Sequence, residues 1–220
     1  MSIRIKICGL TSLADARYCA GAGADYLGFV FYESSPRSVS SDVVREIASW
    51  VHGPEIVGVF VDERPDVINR IAEEAQLTMV QLHGDESVET CRAIERPVIK
   101  AFRVRERDTA DSLSGQMARY SDDVTHFLLD TFRSDQPGGT GRTFDWTVAA
   151  ELARVFPVIL SGGLNRHNVR TAIESVRPAG VDVSSGVESS PGVKDFDRLG
   201  EFFDAFNEAR SIEPAYHLDD

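Results

Sequence analysis

A cysteine, an aspartate and two glycine-rich turns are the residues of this chain whose types and positions best suit chemistry. Cys8 closes a strand-like start, Lys6-Ile7-Cys8, and is followed by Gly9-Leu10-Thr11. Along an extended strand side chains alternate, so Lys6 and Cys8 share a side, which for this strand should be a barrel interior. A cysteine thiol ionises near a pH of about 8.5, and an adjacent ammonium lowers that value, which would make Cys8 a base. An isolated cysteine is equally an ordinary small buried hydrophobe, and position alone leaves both readings open. Cys19 and Cys91 fall in helical stretches and read as core. Asp130 follows three apolar residues in Phe127-Leu128-Leu129-Asp130-Thr131. A carboxyl at such a strand end can be desolvated towards the range of a working acid, or can simply cap a loop.

The segments Ser161-Gly162-Gly163-Leu164-Asn165 and Ser184-Ser185-Gly186-Val187-Glu188 carry the glycines Gly162, Gly163 and Gly186 beside Ser185. Glycine lets the backbone approach a ligand, and successive N–H groups converge on anionic oxygens, which points to phosphate. A helix starting near residues 165–167 would add its N-terminal dipole. Two tight turns are the plainer reading of the same residues. Arg37, in Ser34-Ser35-Pro36-Arg37-Ser38, offers a fork suited to a carboxylate, or is a solvated loop arginine. Gln81 and His83, in Gln81-Leu82-His83-Gly84-Asp85, end a strand and are candidates to line a pocket, with a structural histidine as the alternative. Asp182 has two open roles, binding a sugar hydroxyl or neutralising Lys6.

These residues need a frame that collects strand ends. Strand-like segments span 3–8, 26–31, 56–61, 79–82, 98–102, 126–130, 158–161 and 181–184. Helical segments at 11–22, 42–50, 66–75, 87–94, 145–155, 167–175 and 196–209 alternate with them, and the polar stretch 105–123 predicts a short or irregular fifth helix. Several strands are continuous apolar runs, as sheets covered on both faces require. The pattern predicts an α/β protein, a single (β/α)₈ TIM barrel over residues 1–210, with an acidic tail at 211–220. An open doubly wound sheet is the alternative, but no GxGxxG follows the first strand. Turn chemistry clusters after the strands, and the glycine turns follow the last two, where barrels bind phosphate.

The formal net charge of −12 argues against nucleic acid or anionic lipid as a partner. An anionic substrate must therefore meet positive charge concentrated within the site. No run approaches the roughly 20 apolar residues of a membrane span, so a cytoplasmic enzyme is expected. Three scattered cysteines and five scattered histidines give no metal-ligand spacing.

Read in order, KICGLT, GADYLGFVF with SPRSVS, VGVFVD, QLHGDE, LLDT, GGTGRTFDW, LSGGLN and GVDVSSGVESSPGVKD resemble the phosphoribosylanthranilate isomerase family from Lys6 to Asp195. The resemblance implies an Amadori rearrangement in tryptophan biosynthesis, with Cys8 as general base and Asp130 as general acid. It implies Arg37 on the anthranilate carboxylate, the glycine turns on phosphate, and a mobile loop over the site in which Arg142 replaces a more usual lysine. Because the imine forms from the substrate's own nitrogen, neither metal nor organic cofactor is implied. The partner is a phosphorylated small molecule, and the enzyme is a monomer or homodimer. A similar barrel, the histidine-pathway phosphoribosyl isomerase, carries aspartate where Cys8 stands. A non-catalytic barrel binding phosphorylated ligands is the remaining alternative.

Overall fold

Eight apolar segments lie edge to edge in parallel until the last pairs with the first, closing a barrel in the computed structural model, which describes residues 3–105, 107–130 and 146–211. In chain order they are β1 (Arg4–Cys8), β2 (Tyr26–Val30), β3 (Glu55–Phe60), β4 (Met79–Leu82), β5 (Val98–Arg103), β6 (His126–Asp130), β7 (Val158–Ser161) and β8 (Gly180–Val183). Each lies within a residue or two of its expected position. Around them run α1 (Leu13–Gly21), α2 (Ser41–Trp50), α3 (Pro65–Glu74), α4 (Val88–Arg92), α5 (Ala110–Met117), α6 (Thr147–Ala153), α7 (Val169–Val176) and α8 (Phe196–Ser211). A short antiparallel hairpin, β9 (Glu188–Ser190) with β10 (Val193–Lys194), follows β8.

The strands are buried on both faces, and the two faces fill two cores. Tyr26, Val57, Met79, Ile99, Ala101, Leu128 and Ile159 pack together inside the barrel. Their neighbours along each strand, such as Leu27, Val80, Val98, Phe127 and Leu160, pack outward beneath the helices. This alternation fixes which side chains reach the mouth. One pleat beyond the inner cluster, the same parity turns Gly28, Gln81, Asp130 and Ser161 inward. On β1 and β8 it does the same for Lys6, Cys8 and Asp182.

The fifth helix is short, as the polar stretch predicted. Thr109 and Ser112 cap it reciprocally, and a 3₁₀ turn, Ala118–Tyr120, continues it. The fourth helix is shorter still, with only five residues. The seventh begins at Val169, two residues after its expected start. Most of the GGTGRTFDW segment, including Arg142, lies outside the described residues, as does the tail from 212. Among the described residues no helix is long and apolar enough to cross a membrane.

Leu128 is fully buried at the centre of the inner cluster. Leu128→Ala should destabilise the protein by about 2–5 kcal/mol, through lost transfer energy and a residual cavity. Urea unfolding followed by far-UV circular dichroism measures this, and a loss below about 1 kcal/mol would contradict the packing described.

Candidate active site

The mouth of the barrel is organised around one buried ion pair. Lys6 and Asp182 are direct partners in the β1–β8 pairing, and Lys6 Nζ lies 2.8 Å from Asp182 Oδ1. Ser161 Oγ donates to the other carboxylate oxygen at 2.9 Å. Burial alone would lower the Lys6 ammonium, but the Asp182 carboxylate more than offsets this and holds it above its ordinary value. Of the two roles open to Asp182, neutralising Lys6 is therefore present in the geometry.

Cys8 ends β1 two residues beyond Lys6 and is buried. Its thiol stands above the ordinary cysteine range, chiefly through burial. Lys6 and Lys194 pull it down, whereas Asp182 pushes it up. The ammonium does lower this thiol, as the sequence reading expected, but the net shift is upward because desolvation, aided by the Asp182 charge, outweighs it. Gly28, opposite Cys8 on β2, makes room for the pair. A Cβ there would lie 2.9 Å from Cys8 Sγ and 3.0 Å from Lys6 Nζ. Sequence reasoning missed Gly28, which sits unmarked inside an apolar strand.

Asp130 ends β6 and is half-buried, with His83 Nε2 3.9 Å from its Oδ2. Gln81 Nε2 donates to His83 Nδ1 at 2.8 Å, which leaves the ring proton on Nε2, facing Asp130. Burial holds His83 below the ordinary histidine range, against the pull of Asp130. The loop carrying His83 is pinned from below. Lys100 Nζ meets Glu86 Oε2 at 2.9 Å and donates to Gly84 O at 2.7 Å. A cavity of about 480 Å³ opens beside His83 and Asp130 and extends past Arg103 towards Tyr120. His83 feels the charges of Asp130, Asp182 and Lys6.

The two glycine turns meet. Gly162 and Gly163 have φ of 98° and 66°, a region L side chains rarely adopt. At Gly186 an added Cβ would collide with Leu164 O of the other turn. Among the described residues, nothing accepts a hydrogen bond from the N–H groups of Gly162, Gly163, Ser185 and Gly186. A 3₁₀ turn, Ser185–Val187, starts at this point and sends its first N–H groups outward. These free donors suit an anion.

Arg37 does not stand free in its loop. Its Nε and Nη2 donate to Glu188 Oε1 and Oε2 at 2.9 and 2.6 Å. Its Cδ passes over Gly9, where a Cβ would come within 2.5 Å and where φ is +74°. Glu188 and its second partner, Lys194, are also residues that sequence reasoning missed.

Residues 5–205 match the family model for N-(5'-phosphoribosyl)anthranilate isomerase. The chain belongs to this family. The N-(5'-phosphoribosyl)anthranilate isomerase of Pelobacter propionicus is 44% identical over 213 residues, covering 95% of this chain and 98% of that protein. A phosphoribosylanthranilate isomerase crystallised with reduced 1-(o-carboxyphenylamino)-1-deoxyribulose 5-phosphate is 40% identical, with a TM-score of 0.82 over 94% of this chain and 99% of that one. A crystal structure of monomers generated from the dimeric Thermotoga maritima isomerase is 42% identical, with a TM-score of 0.81 over 94% and 99% of the two chains. The family's eightfold barrel is the fold described above.

Because its pKa is raised, the Cys8 thiolate population grows only at pH above the ordinary cysteine range. Alkylation of the Cys8 peptide by iodoacetamide, followed by mass spectrometry, should be slow at neutral pH and rise steeply in alkali. Lys6→Met removes a stabilising cation and leaves Asp182 unpaired, so the rise should move to still higher pH. Faster alkylation in the variant would overturn the assigned electrostatics.

Proposed function

We propose that this isomerase converts N-(5'-phosphoribosyl)anthranilate to 1-(2-carboxyphenylamino)-1-deoxyribulose 5-phosphate, with Asp130 as acid and Cys8 as base. The observation that carries these roles is geometric. The two groups end β6 and β1, on the inward-facing parity of strands that open at one barrel mouth.

Asp130 protonates the ribose ring oxygen, the C1–O bond breaks, and the anthranilate nitrogen supplies electrons to form an iminium. The iminium acidifies the proton on C2, and the Cys8 thiolate removes it, giving an enolamine. Reprotonation at C1, with loss of the C2 hydroxyl proton, yields the aminoketose. The positive charge of the iminium beside the buried thiol favours its ionisation. Because C2–H is acidic only next to the iminium, ring opening precedes proton abstraction.

The phosphate is assigned to the free N–H groups of Gly162, Gly163, Ser185 and Gly186, and the anthranilate carboxylate to Arg37. Gln81 and His83 face the sugar, with Gln81 Oε1 buried and without a partner among the described residues. Asp182 is within reach of a ribose hydroxyl while still paired to Lys6. Holding both anionic ends supplies orientation. The proposed enzyme works in the cytoplasm on a free phosphorylated substrate, as a monomer or homodimer.

The test follows the loss of substrate anthranilate fluorescence for the wild type, Cys8→Ser and Asp130→Asn. Each folded variant should lose about 10²–10⁴-fold in kcat, the range for a positioned acid or base. Full activity in Cys8→Ser would remove the proposed base. A wild type that binds the reduced product analogue yet never turns over would point to a regulatory barrel instead.

A further inference from the structure

The hairpin β9–β10 carries a charged cluster for which the reaction itself has no use. Glu188 and Lys194 have side chains only 3% and 0% exposed, and Lys194 Nζ lies 2.8 Å from Glu188 Oε1. The same ammonium donates to Cys8 O at 2.6 Å and Ser184 O at 3.2 Å. Glu188 in turn accepts the fork of Arg37 through both carboxylate oxygens. Arg198 also donates to Glu188 O. One buried cation thus touches the backbone of the proposed base and the start of the phosphate turn. Through Glu188 it also fixes the arginine between them.

The Glu188 fork occupies only the Nε–Nη2 side of the guanidinium. Among the described residues, no other side chain or carbonyl accepts from the Arg37 guanidinium. Nη1 and the outer N–H of Nη2 form the remaining end, which matches a carboxylate in a bidentate manner. The charge count fits as well. Two cations and one carboxylate leave a single positive charge, which one ligand carboxylate would neutralise.

We propose that Glu188 is a positioning residue that presents the open end of Arg37 to the substrate's aromatic carboxylate, and that Lys194 locks Glu188 in place. This inference rests on the reading of Arg37 as the carboxylate anchor. Without the Glu188 charge, Arg37 and Lys194 would face each other unshielded. Lys194 is enclosed, whereas the Arg37 side chain is 22% exposed, so the arginine would be the one to swing outward. Charge alone would predict the reverse, a tighter carboxylate in a more positive site. The structure favours orientation, because a mispointed fork forfeits both hydrogen bonds to its ligand.

The experiment compares two inhibitors: reduced 1-(o-carboxyphenylamino)-1-deoxyribulose 5-phosphate and its phenyl counterpart lacking the carboxylate. Binding of each is measured by calorimetry to the wild type, Arg37→Ala and Glu188→Gln. The wild type should prefer the carboxylated ligand, and Arg37→Ala should lose that preference. Glu188→Gln should cut the preference by about tenfold or more, the scale of a lost charge-assisted hydrogen bond. Its affinity for the phenyl ligand should stay within about twofold of wild type, which a merely unfolded or distorted site would not allow. An undiminished or stronger preference in Glu188→Gln, with the preference lost in Arg37→Ala, overturns the proposal and leaves the anchor standing. A preference retained in Arg37→Ala overturns both. If Glu188→Gln does not fold, Glu188→Asp serves instead. It keeps the charge but is one methylene too short to bridge both cations, so an unchanged preference there also overturns the proposal.

Discussion

The ion pair between Lys6 and Asp182 is the interaction on which the rest of the mouth depends. It spans the pairing of β1 with β8, the seam that closes the barrel, at a register point where the two residues are direct neighbours. Taking two charges out of water costs several kcal/mol per ion, and such pairs persist only when geometry and further hydrogen bonds compensate. Here the compensation is local. Asp182 uses one oxygen on Lys6 and the other on Ser161, which brings β7 into the same arrangement. A slip of one residue by either strand would turn its charge to the outer, apolar face and break the pair. Barrel closure and site assembly are thus one event.

The pair also sets the proton chemistry on either side of it. Asp182 keeps Lys6 charged, while burial, against the pull of Lys6, holds the Cys8 thiol above its ordinary range. A thiol held protonated is less exposed to oxidation and alkylation, whose rates follow the thiolate. On the other side, His83 stays neutral because burial outweighs the Asp130 charge. Burial thus disfavours the charged form of both the thiol and the imidazole.

The frame was legible in the sequence because strands buried on both faces read as unbroken apolar runs, and Val158–Ser161 or Met79–Leu82 have little else they can be. Cys8, Asp130 and the glycine turns were legible because strand ends in a barrel converge. Helix ends were less so. Val169 begins its helix late, since Asn165 and Asn168 first close a turn on each other and on Gly163 O. Gly28 was invisible because a glycine in an apolar strand signals nothing until its neighbour across the sheet is known. Glu188 and Lys194 were missed because their partners lie far away in sequence, 151 residues for Arg37 and 186 for Cys8. Only the folded chain brings them together. The pull of Lys6 on the thiol was legible from strand alternation, whereas the larger opposing effect of burial was not, because it depends on everything packed around Cys8.

The division of labour within the mouth follows from rigidity. The proposed acid and base stand on strands, where hydrogen-bonded neighbours on both sides hold the backbone. The groups proposed to grip the ligand stand on loops, which can wrap an anion with N–H groups or reach over the mouth. Loops drift, and a displacement of about 1 Å in a reacting pair can cost about 10²-fold in rate. The β9–β10 hairpin counters that drift. Lys194 donates to the backbone of Cys8 and of Ser184, and Thr11 bonds Gly192 O at 2.5 Å across the hairpin's turn. The proposed carboxylate anchor and phosphate turn are thereby referenced to the end of β1 itself, rather than to the helices behind them. An anion held at either end is then positioned relative to the thiol through buried charge and short hydrogen bonds, whatever the outer helices do.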